Sequence, residues 1–198
     1  MTTENMRSAT IERKTNETDI RVSLTIDGTG TTNIDTGVGM FDHLLTAFGH
    51  HGLFDLDIKT TGDLEIDEHH TVEDTAIVLG QAIDSALGDR SGITRFANVS
   101  LPMDDALAVV ALDAGGRPYS NLDLTFDAPT IGALGTQMIP HALESLITNA
   151  RLTVHLAVTG RNDHHMAEAA FKALARATRL ACEIDPRRSG IPSTKGVL

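Results

Sequence analysis

One cysteine in a chain of 198 residues leaves no partner for an internal disulfide. Cys182 sits in an apolar, helix-like stretch, so a buried structural thiol is its expected role. No apolar run approaches the length of a membrane span, and the opening MTTENMRSAT lacks the apolar centre of a signal peptide. Positive charge is scarce: 16 Lys and Arg face 27 Asp and Glu, a formal net charge of −11. That balance argues against general affinity for nucleic acid or an anionic membrane. It leaves room for an anionic small substrate, because a local basic cluster can outweigh the global field. The expectation is a cytoplasmic protein. A hydrophobic share of 41% and a charged share of 22% are ordinary for a globular chain, and the length suits one large domain or two small fused ones.

What the chain does contain is a duplication. HLLTAFGHHGLFDLDIKTTG, from His43, aligns without a gap on HALESLITNARLTVHLAVTG, from His141. After a small length difference, His69-His70-Thr71-Val72-Glu73 falls on His164-His165-Met166-Ala167-Glu168. Two copies are too few for a solenoid, so a fused pseudo-symmetric pair is expected, 1–92 and 93–198. Ile20, Val22, Leu24 and Ile26 alternate with polar residues, as do Phe54, Leu56 and Ile58, and Leu152, Val154, Leu156 and Val158. These are half-buried strands, and ALAVVALD and LDLTF supply more. Val72, Ala76, Leu79, Ile83 and Leu87 step by three or four, as Ala167, Phe171, Leu174, Thr178 and Ala181 do, giving helices with one core-facing stripe; Gly88 ends the first. The predicted class is α+β, each half an antiparallel-rich sheet with two helices on one face.

The repeat also carries chemistry. On a helix, Glu73 neighbours both His69 and His70, but the two histidines point about 100° apart and suit two different metals better than one. His43, His69, His70 and Glu73, with His141, His164, His165 and Glu168, make six imidazoles and two carboxylates. That is enough for two metal ions with positions left for substrate or water. The donors exclude a Cys-type structural zinc and suit Mn, Fe, Co, Ni or Zn. His50 and His155 fall outside the repeat, at a helix end and on the solvent face of a strand. Arg95, Arg117, Lys172 and the tail DPRRSGIPSTKG concentrate positive charge, and the Gly-Pro framing of Arg117 and of the tail suits ordered phosphate-holding loops. The tail lacks the glycine spacing of a nucleotide-binding loop.

These residues resemble the imidazoleglycerol-phosphate dehydratase family over almost the whole chain. The matching pieces are R-x-T-x-E at Arg13 to Glu17, FDHLL, TGD, HHTVEDTAI, GITRF, GRPY, DHHMAEAAFKALARA and DPRRSGIPSTKG. The chain departs from the family pattern at Gly39-Met40, at the extra His50 and at AGGRPY. The resemblance implies two Mn2+ ions held by the eight repeated residues, and two fused ribosomal-S5-domain-2-like units. It also implies a homo-oligomer of twenty-four subunits with active sites at interfaces. Glu17, Arg95, Arg117, Ser193 and Lys195 would then contact a small phosphorylated imidazole substrate, with His51 and Lys172 close by. The implied reaction eliminates water from the glycerol side chain, with Glu17 and Glu168 as candidates for proton transfer. The alternative reading of the residues is a dinuclear metallohydrolase, against which the absence of Asp from the repeated ligands weighs.

Overall fold

The computed structural model describes residues 6–196. The first five residues, part of the stretch in which no leader was read, and the last two, which follow the matched tail, lie outside the described residues. The chain runs β1 (Ser8–Lys14), β2 (Thr18–Thr25), β3 (Thr32–Asp35), α1 (Gly39–Gly52), β4 (Asp55–Gly62) and α2 (His69–Leu87). It continues β5 (Phe96–Met103), β6 (Ala106–Asp113), β7 (Tyr119–Asp123), the two-residue strands β8 (Thr130–Ile131) and β9 (Leu134–Gly135), α3 (Met138–Asn149), β10 (Thr153–Thr159) and α4 (Asp163–Cys182). Two four-stranded sheets result, ordered β1-β2-β4-β3 and β5-β6-β10-β7, so the second repeats the first element for element. The β8–β9 hairpin is an addition of the second half.

The expected strands and helices form where periodicity placed them. Ile20, Val22 and Leu24 of β2, Leu56 and Ile58 of β4, and Val154, Leu156 and Val158 of β10 are all buried, as are all ten residues of the two helical stripes. The strand read at LDLTF begins earlier, at Tyr119, and ends at Asp123. Strands β1, β3 and β5 add to the periodicity reading; each alternates, but its better-covered face is only half-buried. The sheets are not wholly antiparallel: β3 runs parallel to β4 and β7 parallel to β10, each pair joined through a helix.

Each sheet covers one face with its own two helices, and the helices meet across the halves, α1 on α4 and α2 on α3. The layers are therefore sheet, helices, sheet, which explains why α2 and α4 bury more than one stripe. Glycine makes three of these contacts possible. A Cβ on Gly62 would lie 2.1 Å from Thr71 Oγ1, and one on Gly160 would lie 2.7 Å from Met166 Cγ, so the repeated Thr-Gly lets each strand end meet the first turn of the following helix. A Cβ on Gly80 would meet the Leu146 carbonyl oxygen at 2.5 Å, and its absence brings α2 against α3. Cys182 is fully buried, as expected, and burial pushes its thiol up to about 12. No described helix is long and apolar enough to cross a membrane.

Candidate functional site

The histidine pairs occupy the first turns of α2 and α4. Asp67 Oδ1 accepts from the His69 N–H at 2.8 Å, and Asn162 caps α4 by accepting from His164 and His165 N–H at 3.0 and 3.3 Å. Their helix partners then meet them across the seams between halves. At the α1–α4 seam, His43 Nε2 lies 2.7 Å and His164 Nε2 3.0 Å from Glu168 Oε1. At the α2–α3 seam, His141 Nε2 lies 3.1 Å from Glu73 Oε1 and His69 Nε2 lies 3.6 Å from Glu73 Oε2. In each triad the ligand atoms all fall within 4.8 Å of one another.

Both triads suit a divalent transition metal. Imidazole nitrogens and a carboxylate are its usual donors, and His141 Nε2 is buried with no hydrogen-bond partner, a lone pair that an ion would satisfy. The triads differ in one respect. Burial opposes ionisation of Glu168, but hydrogen bonds from Lys172, His43 and His164, with the Lys172 charge, outweigh it and hold the carboxyl down at about 2. His51 is near as well: burial first, then the charges of Lys172, His50 and Arg176, lower its pKa.

His70 and His165 belong to neither triad. Their rings stand nearly perpendicular to those of His69 and His164, at 82° and 83°. His70 Nδ1 lies 3.0 Å from Asp63 Oδ2, and His165 Nδ1 lies 2.7 Å from Asp105 Oδ1. A carboxylate on Nδ1 leaves Nε2 as the free donor atom and raises its basicity. The Asp63 bond, against desolvation and helped by the Glu17 charge, raises the His70 pKa. The His165 bond, with the Arg161 and Asn162 N–H groups, holds Asp105 well below the usual carboxylate range. Glu17 Oε1 stands 3.9 Å from His70 Nε2, and Asp104 Oδ2 takes the matching place 3.7 Å from His165 Nε2. The eight repeated residues therefore form two triads and two outlying histidines in one chain. Asp63 and Asp105 are absent from the sequence-derived site. Asp63 follows the repeated Thr-Gly, a usable signal, whereas Asp105 lies in the β5–β6 turn and has none.

The basic residues gather elsewhere. Arg95 clamps Asp113 at 2.7 and 3.0 Å and donates to the Pro192 carbonyl at 2.8 Å, which draws the tail with Ser193 and Lys195 to it. Its own N–H donates to Ala181 O, and Ala114 N–H donates to Arg95 O. Arg117, on the loop after Ala114, is exposed. Ala181 lies near the end of α4, thirteen residues beyond Glu168, roughly 20 Å at 1.5 Å per residue. Of the sequence-derived substrate residues, Lys172 and His51 join a triad, Glu17 joins His70, and Arg95, Arg117, Ser193 and Lys195 lie at the far end of the helices. His50 and His155 are exposed and outside all of these groups.

The chain is similar to known proteins along most of its length. The imidazoleglycerol-phosphate dehydratase family model matches residues 36–178. An imidazoleglycerol-phosphate dehydratase of Methanococcoides burtonii is 57% identical over 193 residues, spanning 98% of this chain and 100% of that protein. One of Chloroflexus aggregans is 55% identical, spanning 97% and 95%. The crystal structure of the Staphylococcus aureus imidazoleglycerol-phosphate dehydratase superposes with a TM-score of 0.82 at 32% identity, covering 90% of this chain and 99% of that one. That of IGPD from Pyrococcus furiosus in complex with (S)-C348 gives 0.81 at 36%, covering 95% and 100%. With a family match across most of its length and relatives more than half identical end to end, this chain belongs to the imidazoleglycerol-phosphate dehydratase family.

Proposed function

We propose that the protein is a hydro-lyase of histidine biosynthesis that removes water from D-erythro-imidazoleglycerol phosphate to give imidazole acetol phosphate. The observation that carries this reading is the pair of His-His-Glu triads built at the seams between the two repeats. One triad (His43, His164, Glu168) would hold one Mn2+ and the other (His69, Glu73, His141) a second. An ion held by these residues would supply Lewis acidity toward the substrate's imidazole ring. His70 and His165, with Nδ1 anchored and Nε2 facing outward, are suited to complete a triad of a neighbouring copy.

The separation along α4 supports the same arrangement. A small substrate whose ring lies at a triad cannot reach Arg95 and Arg117 of the same chain, roughly 20 Å away along the helix. The phosphate grip would come from a second copy, which favours interface-built sites in a homo-oligomer; its twenty-four subunits and cytoplasmic location rest on the family resemblance alone. Arg95, Arg117, Ser193 and Lys195 hold the phosphate, turning remote binding energy into orientation of the reacting carbon. Glu17, exposed beside His70, would take the proton from the second side-chain carbon, next to the carbon that loses the hydroxyl, and Glu168 is the second candidate. The repeats divide at 1–92 and 93–198.

The test is to supply metal-stripped protein with Mn2+ and imidazoleglycerol phosphate. Ketone product supports dehydration; free phosphate would instead support a dinuclear hydrolase. Glu17→Gln that turns over at the wild-type rate with metal bound removes Glu17 from proton transfer.

A further inference from the structure

Arg90, in the link between α2 and β5, has no part in the site above, yet its charged side chain belongs to a residue only 3% exposed. Its backbone sits at φ 61, a left-handed conformation that a non-glycine residue keeps only where its surroundings hold it. The guanidinium pairs with Asp84 of α2 and donates to Ala150 O at 3.0 Å, just beyond α3. It also donates to Ala114 O at 2.9 Å, at the root of the loop that carries Arg117. Two further side chains hold that loop: Arg151 Nε donates to Gly116 O at 3.1 Å and Thr153 Oγ1 to Arg117 O at 2.9 Å. Between these points lie Gly115 and Gly116, the latter at φ 76, which give the backbone little stiffness of its own. The Arg117 side chain makes no ion pair among the described residues and is free for a ligand.

We infer that Arg90 is a positioning residue, which aims Arg117 at the substrate phosphate by fixing residues 114–117 against the C-terminal ends of α2 and α3. This rests on the reading of Arg117 as a phosphate contact. Its planar fork reaches three segments at once, and a side chain without that fork leaves the Ala114 and Ala150 carbonyls without their charged donor.

The experiment compares Arg90→Gln, Arg90→Lys and Asp84→Asn with wild-type protein loaded with Mn2+. Arg90→Gln should raise the inhibition constant of inorganic phosphate and KM about tenfold, with kcat lowered as orientation is lost and metal content unchanged. Arg90→Lys and Asp84→Asn should shift both constants in the same direction by less, and they serve if Arg90→Gln does not fold. The Arg90→Gln/Arg117→Ala double variant should bind phosphate no worse than Arg117→Ala alone, because Arg90 acts through Arg117. Unchanged KM and phosphate inhibition with only a lower melting temperature, or losses that multiply in the double variant, would overturn the inference. Failure of the wild type to form ketone counts against the dehydratase reading; inorganic phosphate binding, followed by calorimetry, still tests Arg90. A wild type that binds no phosphate overturns the inference.

Discussion

His43 and Glu168 are 125 positions apart in the chain and 2.7 Å apart in the fold, Nε2 to Oε1. The contact exists only because α1 of one repeat packs on α4 of the other. Glu168→Gln removes the charge shared by His43, His164 and Lys172. Metal analysis of the variant should show one Mn2+ equivalent lost per chain, with the α2–α3 triad still loaded and ketone formation reduced at least about a hundredfold.

The same carboxylate sets an acid dependence in metal-stripped protein. Its pKa is about 2 folded against 4.5 ordinarily. The unfolded chain therefore takes up the proton first as pH falls. The Glu168 contribution to stability is present above pH 4.5 and disappears toward pH 2. Urea midpoints measured across that range should fall less steeply for Glu168→Gln than for the wild type.

Asp63 and Asp105 fix the rings of the two outlying histidines. Asp63→Asn and Asp105→Asn should each weaken Mn2+ binding about 10- to 100-fold, as removal of a carboxylate behind a ligand histidine does. Manganese titration followed by electron paramagnetic resonance reads the change. Unaltered affinity would show that His70 and His165 are not ligands.

Gly80 sets the α2–α3 distance. Gly80→Ala gains up to about 1 kcal/mol of helix propensity, but its Cβ meets the backbone at Leu146 O and Ala150 N at 2.5 and 2.9 Å. The overpacking should win, with a net loss of about 1–2 kcal/mol by denaturant unfolding. Weaker metal retention at His69, Glu73 and His141 should accompany it.

Cys182 should be inert to a thiol reagent at pH 8 until denaturant is added, since burial pushes its pKa from 9.0 to about 12. The unfolded thiol ionises first, so stability should decline as pH rises from 9 toward 12. Thiol-reagent kinetics and melting curves check both statements.

The identity of the ligands was legible in the sequence because duplication repeats side-chain chemistry at matched helix positions: His69, His70 and Glu73 find their counterparts at His164, His165 and Glu168. So were β2, β4, β6, β10, α2 and α4, whose burial on one face or stripe imposes a period of two or 3.6. β1 and β5 alternate too, but over a face that is only half-buried, and β7 was read too late. The Asp105 support could not be derived, because it comes from the β5–β6 turn and no local pattern marks it, whereas Asp63 follows the repeated Thr-Gly. Above all, sequence alone could not say that each triad mixes the halves, or that the basic loop lies at the far end of α4 from Glu168. Those facts depend on which helices pack together, and packing is decided by shape at positions such as Gly80, not by residue type along the chain.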